Sequence, residues 1–347
     1  MTVQPIRVMI VEDSGVIREF LEYLIAQDRR LHVAASVASG EEALARLDRV
    51  APDVISMDIR LPGIDGFETT KRIMAQRPTP IVVVSASVEA EDLQISINAL
   101  RAGALSVVEK PVGVRHQDYE TLAKRLCTQL VIMSQVQVIR QRTPTRDGTS
   151  PSLPTRRKPH SLHGIGIVAS TGGPNALQKV LGKLPSTFPI PIFLVQHITA
   201  AFLSGFVRWL NDQCLMEVVE AEFGQVPQPG TIYVAPADRH LEVHQSGLWL
   251  TAGDLVCQQR PSGTVLLQSL AECYRESACG VVLTGMGSDG ADGMLAIRQA
   301  GGYTLAEDES TAVVYGMPDA AVRMGCVDEV LPQPEIGPRL IELARIP

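Results

Sequence analysis

The chain has 347 residues, of which 45% are hydrophobic and 20% charged, and its formal net charge is -7. That length exceeds one ordinary domain and predicts about two. The acidic balance argues against general affinity for nucleic acid, and no apolar run approaches the roughly 20 residues of a membrane-inserted helix.

The opening stretch, "MTVQPIRVMIVEDSG", has no leader-like core, because Glu12 and Asp13 end its apolar run. The six cysteines stand singly, with no C-x-x-C pair, so neither a zinc site nor a disulfide framework is indicated. Free thiols and no export signal predict a cytoplasmic protein. Along the first third, "IRVMIVED", "VISMDI", "IVVVSAS" and "SVVEK" are predicted strands buried on both faces. Between them "GVIREFLEYLIAQ" has helical periodicity, with Val16, Ile17, Phe20, Leu21, Leu24 and Ile25 on one stripe. A further helix is predicted in "DYETLAKRLCTQLVIMSQV".

Residues 134–163 differ in composition. They carry six basic residues (Arg140, Arg142, Arg146, Arg156, Arg157 and Lys158) against one acid, Asp147. The segment is rich in Pro, Thr and Ser and cannot bury a core, so it reads as a flexible linker. The chain therefore divides into 1–133, a linker 134–163, and 164–347. The last part is acidic, with 10 basic and 19 acidic residues. In it "GIGIVAS", "IPIFLVQH", "TIYVAPAD" and "CGVVLTG" are predicted strands. "NALQKVLGKL" is a helix that places Leu177, Val180, Leu181 and Leu184 on one face. Alternating strands and helices in both parts predict two α/β domains with doubly wound parallel sheets. Sites in such sheets form at the carboxyl ends of the strands.

The first polar group lies at those ends. Glu12 and Asp13 end the first strand, Asp58 ends "VISMD", Ser85 ends "IVVVS", and Lys110 ends "SVVEK". Converging carboxylates need a cation, and oxygen ligands at this density suit Mg²⁺. The order E-D, D, S, K-P resembles the receiver domain of bacterial response regulators, which has a flavodoxin-like fold. The resemblance implies that Asp58 accepts a phosphoryl group from a histidine kinase. It further implies that Glu12, Asp13 and Asp58, with the Arg60 carbonyl, hold Mg²⁺, and that Ser85 and Lys110 contact the acyl phosphate. Many receivers place an aromatic switch residue three before the lysine; here that position is Val107.

The second polar group is Ser170, His197 and Asp289. Ser170 follows a strand and precedes a helix, in "IGIVASTGG". That position suits an N-cap, a phosphate cradle or an exposed nucleophile. His197 ends "IPIFLVQH", and Asp289 lies in "LTGMGSDGADG", where a turn former is the ordinary reading. Together the three make a nucleophile, a base and an orienting acid, each leaving the carboxyl end of a strand. A rival cluster, His240, Glu242 and His244, alternates on one strand and offers metal ligands.

The segments "ASTGGP", "VQHI", "YVAPADRHL", "RPS" and "LTGMGSDGADGM" resemble the protein-glutamate methylesterases of bacterial chemotaxis, the CheB family. By that resemblance the second domain is Rossmann-like, with Ser170 as nucleophile, His197 as general base and then acid, and Asp289 as orienter. Thr171 and Met286 supply backbone N–H groups to the oxyanion. The implied substrates are methylated chemoreceptors, which lose methyl esters and also have glutamines deamidated. Mg²⁺ serves only the receiver, and no cofactor serves hydrolysis. The resting receiver is expected to obstruct the catalytic cleft. Gly263 and Thr264 stand where the family commonly has an apolar residue and an aspartate, a departure expected to fall on the rim of that cleft. Two other readings remain at this point: a catalytically idle signalling module, and a nucleotide-binding domain using "GIGIVASTGG". The latter lacks the fingerprint spacing.

Overall fold

The computed structural model describes residues 4–85, 106–110, 119–134 and 160–345. The chain divides into two compact units, Met1–Gln141 and Arg142–Pro347. Apart from Ser134 and residues 160–163, the predicted linker lies outside the described residues.

In the first unit the elements are β1 (Ile6–Val11), α1 (Gly15–Gln27), β2 (Leu31–Val37), α2 (Gly40–Val50), β3 (Val54–Met57), α3 (Gly66–Gln76), β4 (Ile81–Ser85), β5 (Ser106–Glu109) and α4 (Tyr119–Ser134). The five strands form a parallel sheet in the order β2-β1-β3-β4-β5. Strands β1 and β3 are β-branched and Met-rich and have no water-facing side over most of their length. One face of the sheet carries Met9, Val11, Ile55, Met57 and Val83 into a core shared with Leu47 of α2 and Ile73 of α3. Helix α1 has the predicted bounds, and Ser14 caps it by accepting from the Ile17 N–H at 3.5 Å. Its stripe is shorter than periodicity suggested: Leu21, Leu24 and Ile25 are buried, but Val16 is 80% exposed. Helical angle alone therefore does not bury the first turn. Strand β2 was not among the predicted strands, because an edge strand of partly exposed residues lacks a continuous buried run. At Gly66 a Cβ would stand 2.1 Å from the Asp58 carbonyl oxygen, so only glycine lets α3 start against that loop.

The second unit runs β6 (Gly164–Ala169), α5 (Gly173–Leu181), β7 (Ile192–Gln196), α6 (Ala200–Gln213), β8 (Glu217–Glu220), β9 (Thr231–Val234), β10 (His240–His244), β11 (Gly247–Thr251), α7 (Gly263–Tyr274), β12 (Ala278–Val282), α8 (Ala291–Gln299), β13 (Tyr303–Glu307), α9 (Met317–Arg323), β14 (Glu329–Leu331) and α10 (Gln333–Leu343). Seven strands make a parallel sheet ordered β14-β13-β12-β6-β7-β9-β8, and β10 and β11 form a separate antiparallel hairpin. Leu177, Val180, Leu181 and Leu184 are fully buried as expected, each contributing roughly 1.5–3 kcal/mol by leaving water.

The chain winds outward in opposite directions from β6, which has β12 on one side and β7 on the other. A crevice must open at the carboxyl ends of β6 and β12, where the following segments part. Gly263 shapes that edge from below. A Cβ there would lie 2.2 Å from Val168 Cγ1, so its absence brings the start of α7 against the end of β6.

Candidate active sites

In the first unit, Glu12 and Asp58 are buried and Asp13 is exposed, and ligand oxygens from all three lie within 4.8 Å of one another. The Lys110 ammonium, also buried, reaches Asp58 Oδ2 at 2.8 Å and Glu12 Oε2 at 2.8 Å. Asp58 Oδ1 accepts from the Ile59 N–H at 2.7 Å and, more weakly, the Arg60 N–H at 3.4 Å. Burial is the main influence on Glu12 and raises its pKa; the nearby Asp58 charge adds to this, and the Lys110 contact opposes it. Lys110 is held above its ordinary value because the two carboxylates outweigh its burial. A hard, all-oxygen donor set with excess negative charge fits a small divalent cation. Ser85 ends β4 opposite Glu109. The side chains of Ser85 and Val107 lie outside the described residues.

In the second unit the three predicted residues leave three strand ends. Ser170 follows β6, His197 follows β7, and Asp289 follows β12 by way of the "TGMGSDG" turn. Main-chain bonds tie the ends together. The Ser170 N–H donates to the Thr284 carbonyl at 3.0 Å, and the His197 N–H donates to the Ala169 carbonyl at 3.0 Å. The Gln196 amide adds a clamp, donating to the Ser170 carbonyl at 2.9 Å and the His197 carbonyl at 3.1 Å. Ser170 is not the N-cap of α5: that place belongs to Gly172, at φ 80°, with no side-chain cap bond. Among the described residues the Ser170 hydroxyl has no hydrogen-bond partner, so the capping role is removed.

His197 Nε2 and Asp289 Oδ2 are 2.8 Å apart, and both side chains are buried. Asp289 is no ordinary turn former. Its Oδ1 accepts from the Ser262 hydroxyl at 2.6 Å and the Thr264 N–H at 3.0 Å, and its Oδ2 also accepts from the Gly263 N–H at 2.6 Å. Burial pushes its pKa up, but the His197 bond and charge, then Ser262 and Thr264, outweigh that and hold it at about 2. With Asp289 ionised, the proton on the imidazole belongs on Nε2, which leaves the lone pair on Nδ1.

Gly263 and Thr264 are both buried and form part of the seat of Asp289, not the cleft rim where the sequence had placed their departure. Thr171 is buried and Met286 exposed. Among the described residues neither of their backbone N–H groups has an acceptor. The Thr284 hydroxyl holds the Thr171 carbonyl at 2.9 Å, which fixes the orientation of that residue's main chain. Nothing larger than glycine fits at 285, where a Cβ would stand 2.8 Å from Ser170 Cβ. The rival cluster does not form a metal site. His240 is buried with both ring nitrogens engaged, while His244 sits 3.3 Å from Glu242 and against Trp249, with ring centres 4.7 Å apart.

Sequence reasoning passed over Gln196, Ser262, Thr284 and Glu307. For Ser262 a signal existed: a serine directly before an apolar helical run is an N-cap pattern. Glu307 is buried at the end of β13 and accepts from the Thr284 N–H at 2.8 Å and the Thr311 hydroxyl at 3.1 Å. Burial lifts its pKa from 4.5 to about 7, against the pull of those bonds and of Lys179. Between those two values the folded state keeps a proton the unfolded chain releases, so stability falls as pH rises and the loss is complete above about 7. Glu307→Gln retains an acceptor for Thr284 and a donor for Thr311. Its melting temperature should match wild type near pH 4.5 and exceed it near pH 8.5; equal melting at the higher pH would show that Glu307 carries no buried charge there.

An acidic cluster at the strand ends of a 2-1-3-4-5 parallel sheet is the make-up of a signal-receiver domain, here followed by a second α/β unit with its own polar residues at the strand ends. The family model for the response regulator receiver domain matches residues 8–118, and that for CheB methylesterase matches residues 165–340. The chain belongs to the CheB methylesterase family. A protein-glutamate methylesterase/protein-glutamine glutaminase 2 of Paramagnetospirillum magneticum is 50% identical over 343 residues, covering 98% of this chain and 97% of its own. The corresponding protein of Nitrosospira multiformis is 39% identical over 344 residues, with 97% of each chain covered. Among solved structures, the Thermotoga maritima CheB methylesterase catalytic domain aligns with a TM-score of 0.51 and 37% identity, covering 53% of this chain and 99% of that one. No helix among the described residues is long and apolar enough to cross a membrane.

Proposed function

We propose that this protein is a cytoplasmic, phosphorylation-regulated hydrolase that removes methyl esters from glutamate side chains of chemoreceptors and deamidates receptor glutamines. The observation that carries the reading is the convergence on one sheet edge of Ser170, the His197–Asp289 pair and two main-chain N–H groups that have no acceptor among the described residues. Ser170 Oγ attacks the ester carbonyl carbon while its proton passes to His197 Nδ1, the nitrogen turned away from Asp289. The N–H groups of Thr171 and Met286 receive the oxyanion. Collapse breaks the C–O bond, and the imidazolium protonates the departing methoxide to methanol. Water then attacks the acyl-enzyme, His197 takes its proton, and glutamate and free Ser170 are released. With glutamine the leaving group is ammonia. The test is methanol release from methylated receptor membranes incubated with the full-length protein. Release no faster than from membranes alone would overturn the reading.

In the receiver, Asp58 is the phosphoryl acceptor from a histidine kinase. Glu12, Asp13 and Asp58, with the Arg60 carbonyl, would hold Mg²⁺, which neutralises the incoming phosphoryl oxygens. Lys110, already bonded to Asp58, and Ser85 would then bind the phosphoryl group. A tether of about 30 residues keeps two units at an effective concentration in the millimolar range, so weak mutual affinity is enough to restrain the hydrolase. A small-molecule phosphodonor with Mg²⁺ should raise methanol release about tenfold in wild type. Asp58→Ala should show no response. An equal rise in the variant would separate regulation from Asp58.

A further inference from the structure

His240 takes no part in the reaction above, yet it lies at the far end of a buried hydrogen-bond chain that leads into it. The ring is 2% exposed. Its Nδ1 lies 3.2 Å from the Ser262 main-chain nitrogen, and its Nε2 lies 2.9 Å from the Asp254 carbonyl oxygen. A main-chain N–H can only donate and a carbonyl can only accept. The two contacts together therefore require a neutral ring with its proton on Nε2 and its lone pair on Nδ1. Ser262, held by that lone pair, does two things. Its hydroxyl donates to Asp289 Oδ1 at 2.6 Å, and the same oxygen caps α7 by accepting from the Thr264 N–H at 3.2 Å. Asp289 Oδ2, in turn, contacts His197 Nε2 at 2.8 Å.

We propose that His240 is a positioning residue for the hydrolytic site: through Ser262 it fixes the carboxylate that orients His197. The inference rests on the hydrolase reading above. Its physical basis is that Ser262 is wholly buried. Without an acceptor at Nδ1 its main-chain N–H loses its only partner among the described residues, in a place water does not reach, and the residue must turn to find another. Turning Ser262 withdraws its hydroxyl from Asp289, and a shift of the carboxylate passes directly to the imidazole it holds. Displacement of a reacting group by about 1 Å costs on the order of a hundredfold in rate.

Two substitutions separate the ring nitrogens. His240→Asn places an amide oxygen near the Nδ1 position, so it still accepts from the Ser262 N–H but gives up Asp254. His240→Gln places an amide NH₂ near the Nε2 position, so it still donates to Asp254 but offers nothing to Ser262. Methanol release from methylated receptor membranes by the full-length protein should keep at least about a third of wild-type kcat in His240→Asn. In His240→Gln, kcat should fall roughly thirtyfold at unchanged KM. A reversed ranking would mean that His240 only anchors the loop at Asp254, and equal rates would mean that the ring only fills space; either overturns the proposal. If neither variant folds, the wild-type ring decides. Long-range ¹H–¹⁵N spectra should show His240 as the Nε2–H tautomer, and an Nδ1–H tautomer overturns the assignment. Asp289→Asn run alongside keeps the two readings apart. Unchanged turnover there defeats the triad itself, whereas a dead Asp289→Asn beside a fully active His240→Gln defeats only the positioning role.

Discussion

Ser170→Ala should lower methanol release by about 10⁵-fold or more while leaving the fold intact. The two halves of that expectation have separate causes. The hydroxyl has no partner among the described residues, so removing it breaks no internal hydrogen bond. The bonds that seat residue 170 are main-chain ones: its N–H to Thr284, and its carbonyl to the Gly173 N–H and the Gln196 amide. Alanine keeps all of them. Stability should change by no more than about 0.5 kcal/mol, the usual limit for a change that disturbs neither packing nor bonding. The rate should fall far further, because with no nucleophile there is no acyl-enzyme and only the oxyanion donors and binding remain. Retention of more than about one part in a hundred of wild-type turnover would show that another group attacks the ester.

The positions of Ser170, His197, Asp289, Glu12, Asp13, Asp58 and Lys110 at strand ends were legible because the signal is local. A β-branched run followed by a polar residue and glycine marks the carboxyl edge of a parallel sheet wherever it occurs. What holds those residues was not legible. Asp289 takes its donors from Ser262, Gly263 and Thr264, about 25 residues away in sequence, and from His197, 92 residues away. No spacing rule joins them; only the close approach of α7 to β6, allowed by Gly263, does so. The misplacement of Gly263 and Thr264 on the cleft rim has the same origin, since a motif reveals that residues cluster but not which side of the cluster faces solvent. The alternation of His240, Glu242 and His244 was real, but one strand face runs from the core to the surface. The first histidine is locked between two main-chain groups, while the last packs against Trp249 with the two rings tilted. Strands β13 and β14 were passed over among short apolar segments. With β13 went Glu307, whose carboxylate accepts from Thr284 and Thr311, 23 and 4 residues away.

Asp289→Asn should cost about 10²- to 10⁴-fold in kcat and a measurable amount of stability, and the amide's two orientations set that range. The carboxylate takes four donors on two oxygens, and asparagine has one oxygen. With its NH₂ toward His197, the amide donates to Nε2, the imidazole proton moves to Nδ1, and the base can no longer take the Ser170 proton. That is the larger loss. The same NH₂ also confronts the Gly263 N–H, a buried donor 2.6 Å from Oδ2 in the wild type. With the amide turned over, the imidazole keeps its tautomer but loses the negative charge that stabilises its protonated form, and the NH₂ meets the Thr264 N–H instead. Ser262 can adapt to this second arrangement, since its hydroxyl can accept as well as donate, so steric and bonding terms favour it. Either way one donor is left facing another, at about 1–3 kcal/mol. The stability deficit has a pH signature. Wild-type Asp289, held at about 2 against an ordinary 3.8, contributes its full stabilisation above 3.8 and loses it as the pH falls through about 2. The gap in melting temperature between wild type and variant should therefore be constant from about pH 5 to 8 and close in strong acid. Turnover assayed well below both melting temperatures isolates the chemical loss from the structural one. Wild-type turnover at neutral pH in the folded variant would remove Asp289 from the mechanism and leave its four hydrogen bonds as scaffolding alone.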